Sequence, residues 1–285
     1  MDVYVVLPTF GPHLSADAVL ESARLSEELG FAGVASTDHM FVPPGPEGQP
    51  DRYEQVYDVL AVLGAVASTT RRLKLMTSVV VLPMRNPFVV AKQAATLDQF
   101  SGGRLILGLG AGYREEEFVN VGADFRTRGR RLDEGIRLIR HLFGGSRQPF
   151  ASAYYPYESG VFGPLPVQGD SLPILIGGNS DAALRRAASS GDMWQCNPYI
   201  TPEQFPERVR RLNDLAGDRR VSPGARIHLS NDVADMRSQS FAYAEAGAEH
   251  LTIEFYPFEG LSGRIRSYAD HVLPTLIELA PERVS

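Results

Sequence analysis

The stretch from Leu73 to Gly112, LKLMTSVVVLPMRNPFVVAKQAATLDQFSGGRLILGLGAG, limits what this chain can fold into. Leu73 to Leu82 is apolar, rich in valine and too short to span a membrane, so it reads as a buried strand. Asn86 offers a helix N-cap and Pro87 a first helical residue. Val90, Ala94 and Leu97 follow at helical spacing. Gly102 and Gly103, after Ser101, stop that helix, because glycine accepts the left-handed conformation at little cost. Arg104 to Leu109 is a second buried strand running into Gly108, Gly110 and Gly112. A strand–helix–strand unit of this kind requires a parallel sheet.

The rest of the chain repeats the pattern. Val3 to Leu7, Phe31 to Ser36, Ile174 to Ile176, Met193 to Cys196, Arg226 to Leu229 and His250 to Phe255 read as further short strands. Between them lie helical stretches. Ser15 caps one that ends at Gly30, and another covers Val56 to Thr69. Leu132, Ile136, Ile139 and Phe143 mark a third. Thr201-Pro202-Glu203-Gln204 reads as a capping box, and Ile265 to Leu279 as the last helix. About eight strand–helix units close a (β/α)8 TIM barrel, whereas an open doubly wound sheet has fewer. No linker or shift in composition divides the chain, so residues 1–285 are expected to form one α/β barrel domain. Residues 144–172 interrupt the pattern with Tyr154, Tyr155, Tyr157 and Phe162 among glycines and prolines. A loop this long is either a lid over the site or a flap on the barrel's flank.

Several classes of partner are disfavoured. A formal charge of −6 gives no basic face for nucleic acid. No apolar run reaches membrane-spanning length, and the N-terminus has no signal-peptide pattern. Cys196 is the single cysteine, which excludes an internal disulfide framework and fits a reducing compartment. The expectation is a cytoplasmic protein.

In a parallel barrel the ends of the strands carry the chemistry. Four clusters fall there: Asp38-His39, Thr77-Ser78-Val79, Gly108 to Tyr113, and Gly177-Gly178-Asn179-Ser180. The last ends a strand and opens a helix, which suits an anion such as a phosphate. Equally, glycines simply terminate strands. The run at Gly108 is G-x-G-x-G, not a dinucleotide fingerprint. No metal-hydrolase histidine pattern occurs, so no metal site is expected. His39 lies beside a carboxylate at a strand end. It is an acid–base candidate or a hydrogen-bonding residue of the rim. Cys196 reads as a small core residue.

These motifs resemble the bacterial luciferase-like superfamily, in particular its branch using coenzyme F-420, a deazaflavin. The likeness covers nearly the whole chain. It rests on TSVVVLPMRNPFVVAKQAATLDQFSGGRLILGLGAG, on EEEF and RGRRLDEGI after it, and on STDHM at Ser36 to Met40 and IGGNS at Ile176 to Ser180. The resemblance implies a (β/α)8 barrel, usually a homodimer, with the ring of the cofactor across the strand ends. It implies a non-proline cis peptide at Ser78-Val79, in a bulge that supports the ring.

Under the same resemblance, Asp38 and His39 touch ring or substrate, and Thr77, Ser78 and Val79 lie beneath the ring. Gly110, Ala111, Gly112, Tyr113, Gly177, Gly178, Asn179 and Ser180 hold the ribityl chain and phosphate. The activity implied is hydride transfer between the deazaflavin and a small organic substrate, with His39 as acid–base and Tyr113 as a substrate-side donor. Two other readings stand beside it. One is a monooxygenase using reduced FMN and oxygen, fed by a separate flavin reductase. The other is a non-catalytic flavin-binding barrel. Two departures bear on the choice. The superfamily's sugar-phosphate dehydrogenase has a glutamate where Tyr113 stands and a tryptophan near Pro43. True luciferases have an arginine near Ala111 for the FMN phosphate, and its absence leans toward the deazaflavin.

Overall fold

The computed structural model describes residues 1–46 and 51–279. Among the described residues there are nine strands: β1 (Asp2–Val6), β2 (Gly33–Ser36), β3 (Lys74–Thr77), β4 (Val80–Val81), β5 (Leu105–Gly110), β6 (Ile174–Gly177), β7 (Met193–Cys196), β8 (Ser222–His228) and β9 (His250–Glu254). All pair in parallel, in the order β3-β2-β1-β9-β8-β7-β6-β5-β4, and a further pairing of β3 with β5 closes the cylinder. β3 and β4 are halves of one broken strand, so the barrel has eight positions, as the repeat count predicts.

Among the described residues ten α-helices connect or follow the strands: α1 (Ala16–Glu28), α2 (Val59–Thr69), α3 (Pro87–Ser101), α4 (Glu115–Asn120), α5 (Arg128–Phe143), α6 (Asp181–Ser190), α7 (Phe205–Ala216), α8 (Val233–Glu245), α9 (Leu261–His271) and α10 (Leu273–Glu278). The caps of α3 form as expected. The Asn86 side chain accepts from Phe88 N at 2.9 Å, and Gly102 closes the helix with φ 68°.

Several strand and helix boundaries differ from expectation, four of them by more than a residue or two in the ways that follow. α2 begins at Val59, not Val56, because the Asp58 carboxylate accepts from the N–H groups of Leu60 and Ala61 and caps the helix there. Residues 201–204 form a turn ahead of α7. The Thr201 N–H donates to Gln204 Oε1 at 3.2 Å, and the helix starts only at Phe205. β8 begins at Ser222, four residues earlier than Arg226. The last helix is two: α9 ends at His271 and α10 restarts at Leu273, with Pro274 in its first turn, where no N–H is required.

The core has two shells. Val3, Val5, Val34, Leu75, Leu107, Ile174 and Ile176 face outward and pack against the helices. Tyr4, Val6, Ala35, Met76, Ile106 and Leu175 face inward and fill the barrel. Alternation along each strand produces this division. Toward the strand ends the interior turns polar, with Thr37, Ser78, Gln195, Arg226 and Glu254 all buried. The segment 144–172 packs along α3 and α5. Gln99 donates to Leu165 O, Arg140 to Asp170 O and Leu172 O, and Gln168 to Asp98. Among the described residues no helix is long and apolar enough to cross a membrane.

Candidate active site

The break between β3 and β4 forms the floor of the strand-end opening. Met76 lies opposite Ile106, and Val80 opposite Leu109. Thr77, Ser78 and Val79 therefore face only Leu107 and Gly108, which is a β-bulge of one extra residue. Thr77 replaces the lost ladder bonds. Its hydroxyl accepts from Gly108 N and donates to Gly108 O, both at 2.8 Å. Only glycine fits opposite, since a Cβ at position 108 would stand 1.9 Å from Thr77 O.

The Ser78-Val79 peptide is cis, as the resemblance implies. Its carbonyl accepts from Arg226 Nη1 at 2.9 Å, and the Ser78 hydroxyl accepts from Gln195 Nε2 at 2.9 Å. The Val79 side chain leans over Gly110 and Gly177. A Cβ at those positions would meet its methyl carbons at 2.6 and 2.9 Å. The result is a shallow cradle of backbone with one branched side chain rising into it, a surface that a flat ring can cover.

His39 stands at the rim of this cradle. Its Nδ1 is 3.0 and 3.2 Å from the two oxygens of Glu117. Its ring stacks on Tyr53 at 4.0 Å, with Tyr113 edge-on at 6.1 Å. Glu117 is buried on α4 and also accepts from Met40 N at 3.0 Å. Burial alone would raise its pKa. The bonds from His39 and Met40 outweigh burial and hold it below the ordinary carboxylate range. With Nδ1 committed to Glu117, Nε2 is the ring nitrogen left over, and among the described residues it has no hydrogen-bond partner. Tyr113 is exposed, its hydroxyl accepting from Arg114 Nε at 3.2 Å.

Asp38 is buried, with its carboxylate bonded to its own chain. Both its oxygens are taken by Arg85, and Oδ2 also accepts from Val81 N at 3.0 Å. The carboxylate thus ties the end of β2 to β4 beyond the bulge. Arg85 is shared with Asp58, the cap of α2.

At the end of β6, Gly178 adopts φ +132°, and its N–H and carbonyl bond to Gln195 O and Trp194 Nε1. The Asn179 side chain pairs with Asn197, accepting from its N–H at 2.9 Å. Ser180 caps α6 by accepting from Ala183 N at 3.2 Å. The N–H groups of Ser180, Asp181 and Ala182 make no bond within the described chain and point out of the helix start, where an anion is stabilised. Asp181 brings a negative charge to the same turn, and Arg208 pairs with it at 3.1 Å.

A second group of residues went unnoticed in the sequence. Arg226 is buried and gives Nε to Glu254 Oε2 at 2.9 Å and Nη2 to Thr37 Oγ1 at 3.0 Å. Burial lowers its pKa from the usual guanidinium value. The other oxygen of Glu254 bonds to Arg52 and lies 3.3 Å from His228 Nε2. Burial, with Arg52 and Arg226 nearby, pushes His228 down to about 4, so it is neutral at pH 7. The signal for Arg226 and Glu254 was a charge within an apolar strand. For Glu117 and Arg52 nothing local distinguished them. No group of three or more metal-ligating side chains occurs among the described residues.

The family model for luciferase-like monooxygenases matches residues 1–273. The chain belongs to the luciferase-like monooxygenase family. An uncharacterized protein of Mycobacterium tuberculosis is 34% identical over 202 residues, 69% of this chain and 67% of that protein. An F420-dependent glucose-6-phosphate dehydrogenase of Amycolatopsis mediterranei is 33% identical over 204 residues, 70% of this chain and 58% of that protein. Among solved structures, an F420-dependent secondary alcohol dehydrogenase holding an F420-acetone adduct superposes with a TM-score of 0.80. It is 17% identical and covers 97% of this chain and 99% of its own, a likeness of fold.

Proposed function

We propose that the protein is a deazaflavin-dependent oxidoreductase, a cytoplasmic homodimer, that moves a hydride between coenzyme F420 and a small organic substrate. The observation that carries this reading is the His39–Glu117 pair at the rim of the Ser78–Val79 cradle. The cradle fits a planar ring, because Gly110 and Gly177 leave the space that Val79 fills and any Cβ would disturb it. The N–H groups from Ser180 to Ala182 would hold the cofactor's phosphate, and the backbone at Gly110 to Gly112 its ribityl chain. When bound, the deazaflavin supplies the two-electron hydride chemistry.

The chain's own part is the proton. Glu117 receives Nδ1–H and so fixes the tautomer in which Nε2 carries a lone pair. As a substrate alcohol becomes a carbonyl, Nε2 takes its hydroxyl proton. In the reverse direction the same nitrogen returns it. The Glu117 carboxylate stabilises the imidazolium meanwhile, as the carboxylate of a catalytic triad does. The relatives named above that use F420 support the choice of cofactor.

The test is His39→Ala. Cofactor affinity should stay within a few-fold of wild type, and the rate of hydride transfer should fall roughly 10²–10⁴-fold. Reduced deazaflavin is followed by absorbance under anaerobic conditions with carbonyl, imine and enone acceptors. A wild-type rate in the variant would clear His39 of the role. Turnover that demands oxygen and reduced FMN would move the protein to the monooxygenases. Tight cofactor binding without turnover of any acceptor would leave a binding protein.

A further inference from the structure

The Arg52–Arg226–Glu254 cluster is not balanced in charge. Two guanidinium groups share one carboxylate, His228 beside them is neutral at pH 7, and among the described residues no other acid bonds to either arginine. Arg226 has spent its donors on Glu254, Ser78 and Thr37. Arg52 has not. Among the described residues only its Nη2 is bonded, while Nε is buried with no partner and a quarter of the side chain stays open to solvent. An unpaired buried donor on a cation is costly, and a protein retains one where a ligand completes it.

The surroundings of Arg52 are aromatic. Its guanidinium lies 4.8 Å from the ring of Phe10, 5.1 Å from Tyr53 and 4.2 Å from Tyr256. Phe258 closes the group at 5.0 Å from Phe10. Rings over the guanidinium face fix its plane and leave its N–H edge as the recognition surface. Tyr53 also stacks on His39, so the cluster sits one ring away from the proton-handling residue.

We infer that this corner of the mouth is the substrate's anion subsite, and that the substrate is a planar organic carboxylate whose charged end meets the free edge of Arg52. This names the substrate class of the hydride-transfer site and rests on that reading of the mouth. A carboxylate accepts two parallel bonds from a guanidinium edge and would neutralise the surplus charge. The flat body of such an acid would lie against the half-buried rings Tyr53, Tyr256 and Phe258, which Phe10 backs from the interior. His228, half-exposed at the end of β8, borders the subsite as a neutral hydrogen-bonding group.

The experiment is calorimetric titration of the purified full-length protein with cinnamate and with its neutral counterpart cinnamamide. Wild type should bind cinnamate at least tenfold more tightly. Arg52→Met should abolish the preference while leaving cinnamamide affinity within threefold. Arg52→Lys, which keeps the charge and loses the fork, should lower the preference at least threefold, and it serves if the methionine variant does not fold. Arg220→Met, at an exposed arginine just before β8 and away from the strand ends, should leave the preference unchanged.

Equal binding of acid and amide by wild type, or binding of neither at millimolar concentration, would overturn the inference. So would a preference that survives in both Arg52 variants, or one that is lost in Arg220→Met. Deazaflavin binding is measured in parallel on the same samples. If wild type does not bind the deazaflavin yet prefers cinnamate, the hydride-transfer reading fails and the anion subsite stands. The opposite pattern rejects the subsite alone.

Discussion

His250 opens β9 with its ring standing over Gly224, so close that a Cβ there would lie 2.1 Å from Nε2. It is fully buried, and among the described residues Nε2 has no hydrogen-bond partner. Burial, aided by Lys74 and opposed by Asp2, pushes it down to about 4. An unfolded histidine titrates near pH 6.5, so between about pH 6.5 and 4 the unfolded chain binds a proton that the folded one refuses. Stability contributed by the neutral ring is therefore full above pH 6.5, falls as the pH drops toward 4, and levels off below it. The loss is on the order of 3 kcal/mol. His250→Asn should remove most of that slope in urea unfolding measured from pH 7 to 4, and superimposable profiles would contradict the assignment. Single residues also mark how far the sequence could be read. His39 and Tyr113 were visible because they end strands. Glu117 was not, because its partner is 78 residues away and joins it only when α4 folds over the rim. Asp38 had the expected position, yet Arg85 consumes its charge, and no local pattern announces such a pairing.

Among the elements, the broken strand β3–β4 shapes the site most. Leu73 to Leu82 is uniformly apolar, so its periodicity could not show where the ladder slips. The slip depends on Thr77 meeting Gly108, 31 residues on. Two nearby glycines separate the structural role of the bulge from its role toward a ligand. Gly108→Ala drives a methyl group into a backbone oxygen 1.9 Å away, which cannot move without opening the barrel. It should cost about 3 kcal/mol or more in unfolding experiments. Gly110→Ala meets only a methyl of Val79, at 2.6 Å, and that side chain can turn aside. It should cost about 1–2 kcal/mol of stability. Because the displaced valine spoils the cradle, it should weaken deazaflavin binding at least tenfold, or about 1.4 kcal/mol. A stable Gly108→Ala, or a Gly110→Ala that binds like wild type, would refute this division. Elements with local signals were legible: the caps of α1 and α3 follow from Ser15, Asn86 and Gly102 alone. The start of α2 lies three residues past Val56, because the apolar run shows where a helix can lie and the Asp58 cap sets where it begins.

For the molecule as a whole, the count of strand–helix units foretold the barrel, since each unit is local and the repetition is not. Closure through β3 and β5 follows once eight parallel strands share one twist. One face of the closed barrel remains physically unsettled in a single copy. α2, VLAVLGAVAST, has no charged residue, and Ala61, Gly64 and Ala65 face outward. Beside them, Ala16, Val19, Leu20, Tyr57 and Val62 line an apolar groove between α1 and α2. A helix that is apolar all round is ordinarily buried on all sides. The occupant that fits best is a second copy, since identical small-residue faces let two α2 helices approach closely around a twofold axis. Such an interface needs on the order of 1,200 Å² or more in total, so neighbouring helices would join it. Ala65→Arg places a long cation at its centre, while on the surface of a lone barrel the change would be nearly neutral, within about 0.5 kcal/mol. Light scattering after size exclusion should give wild type twice the 31.2 kDa chain mass and the variant a single chain mass. A monomeric wild type, or a variant that stays dimeric, would show that α2 is not the contact.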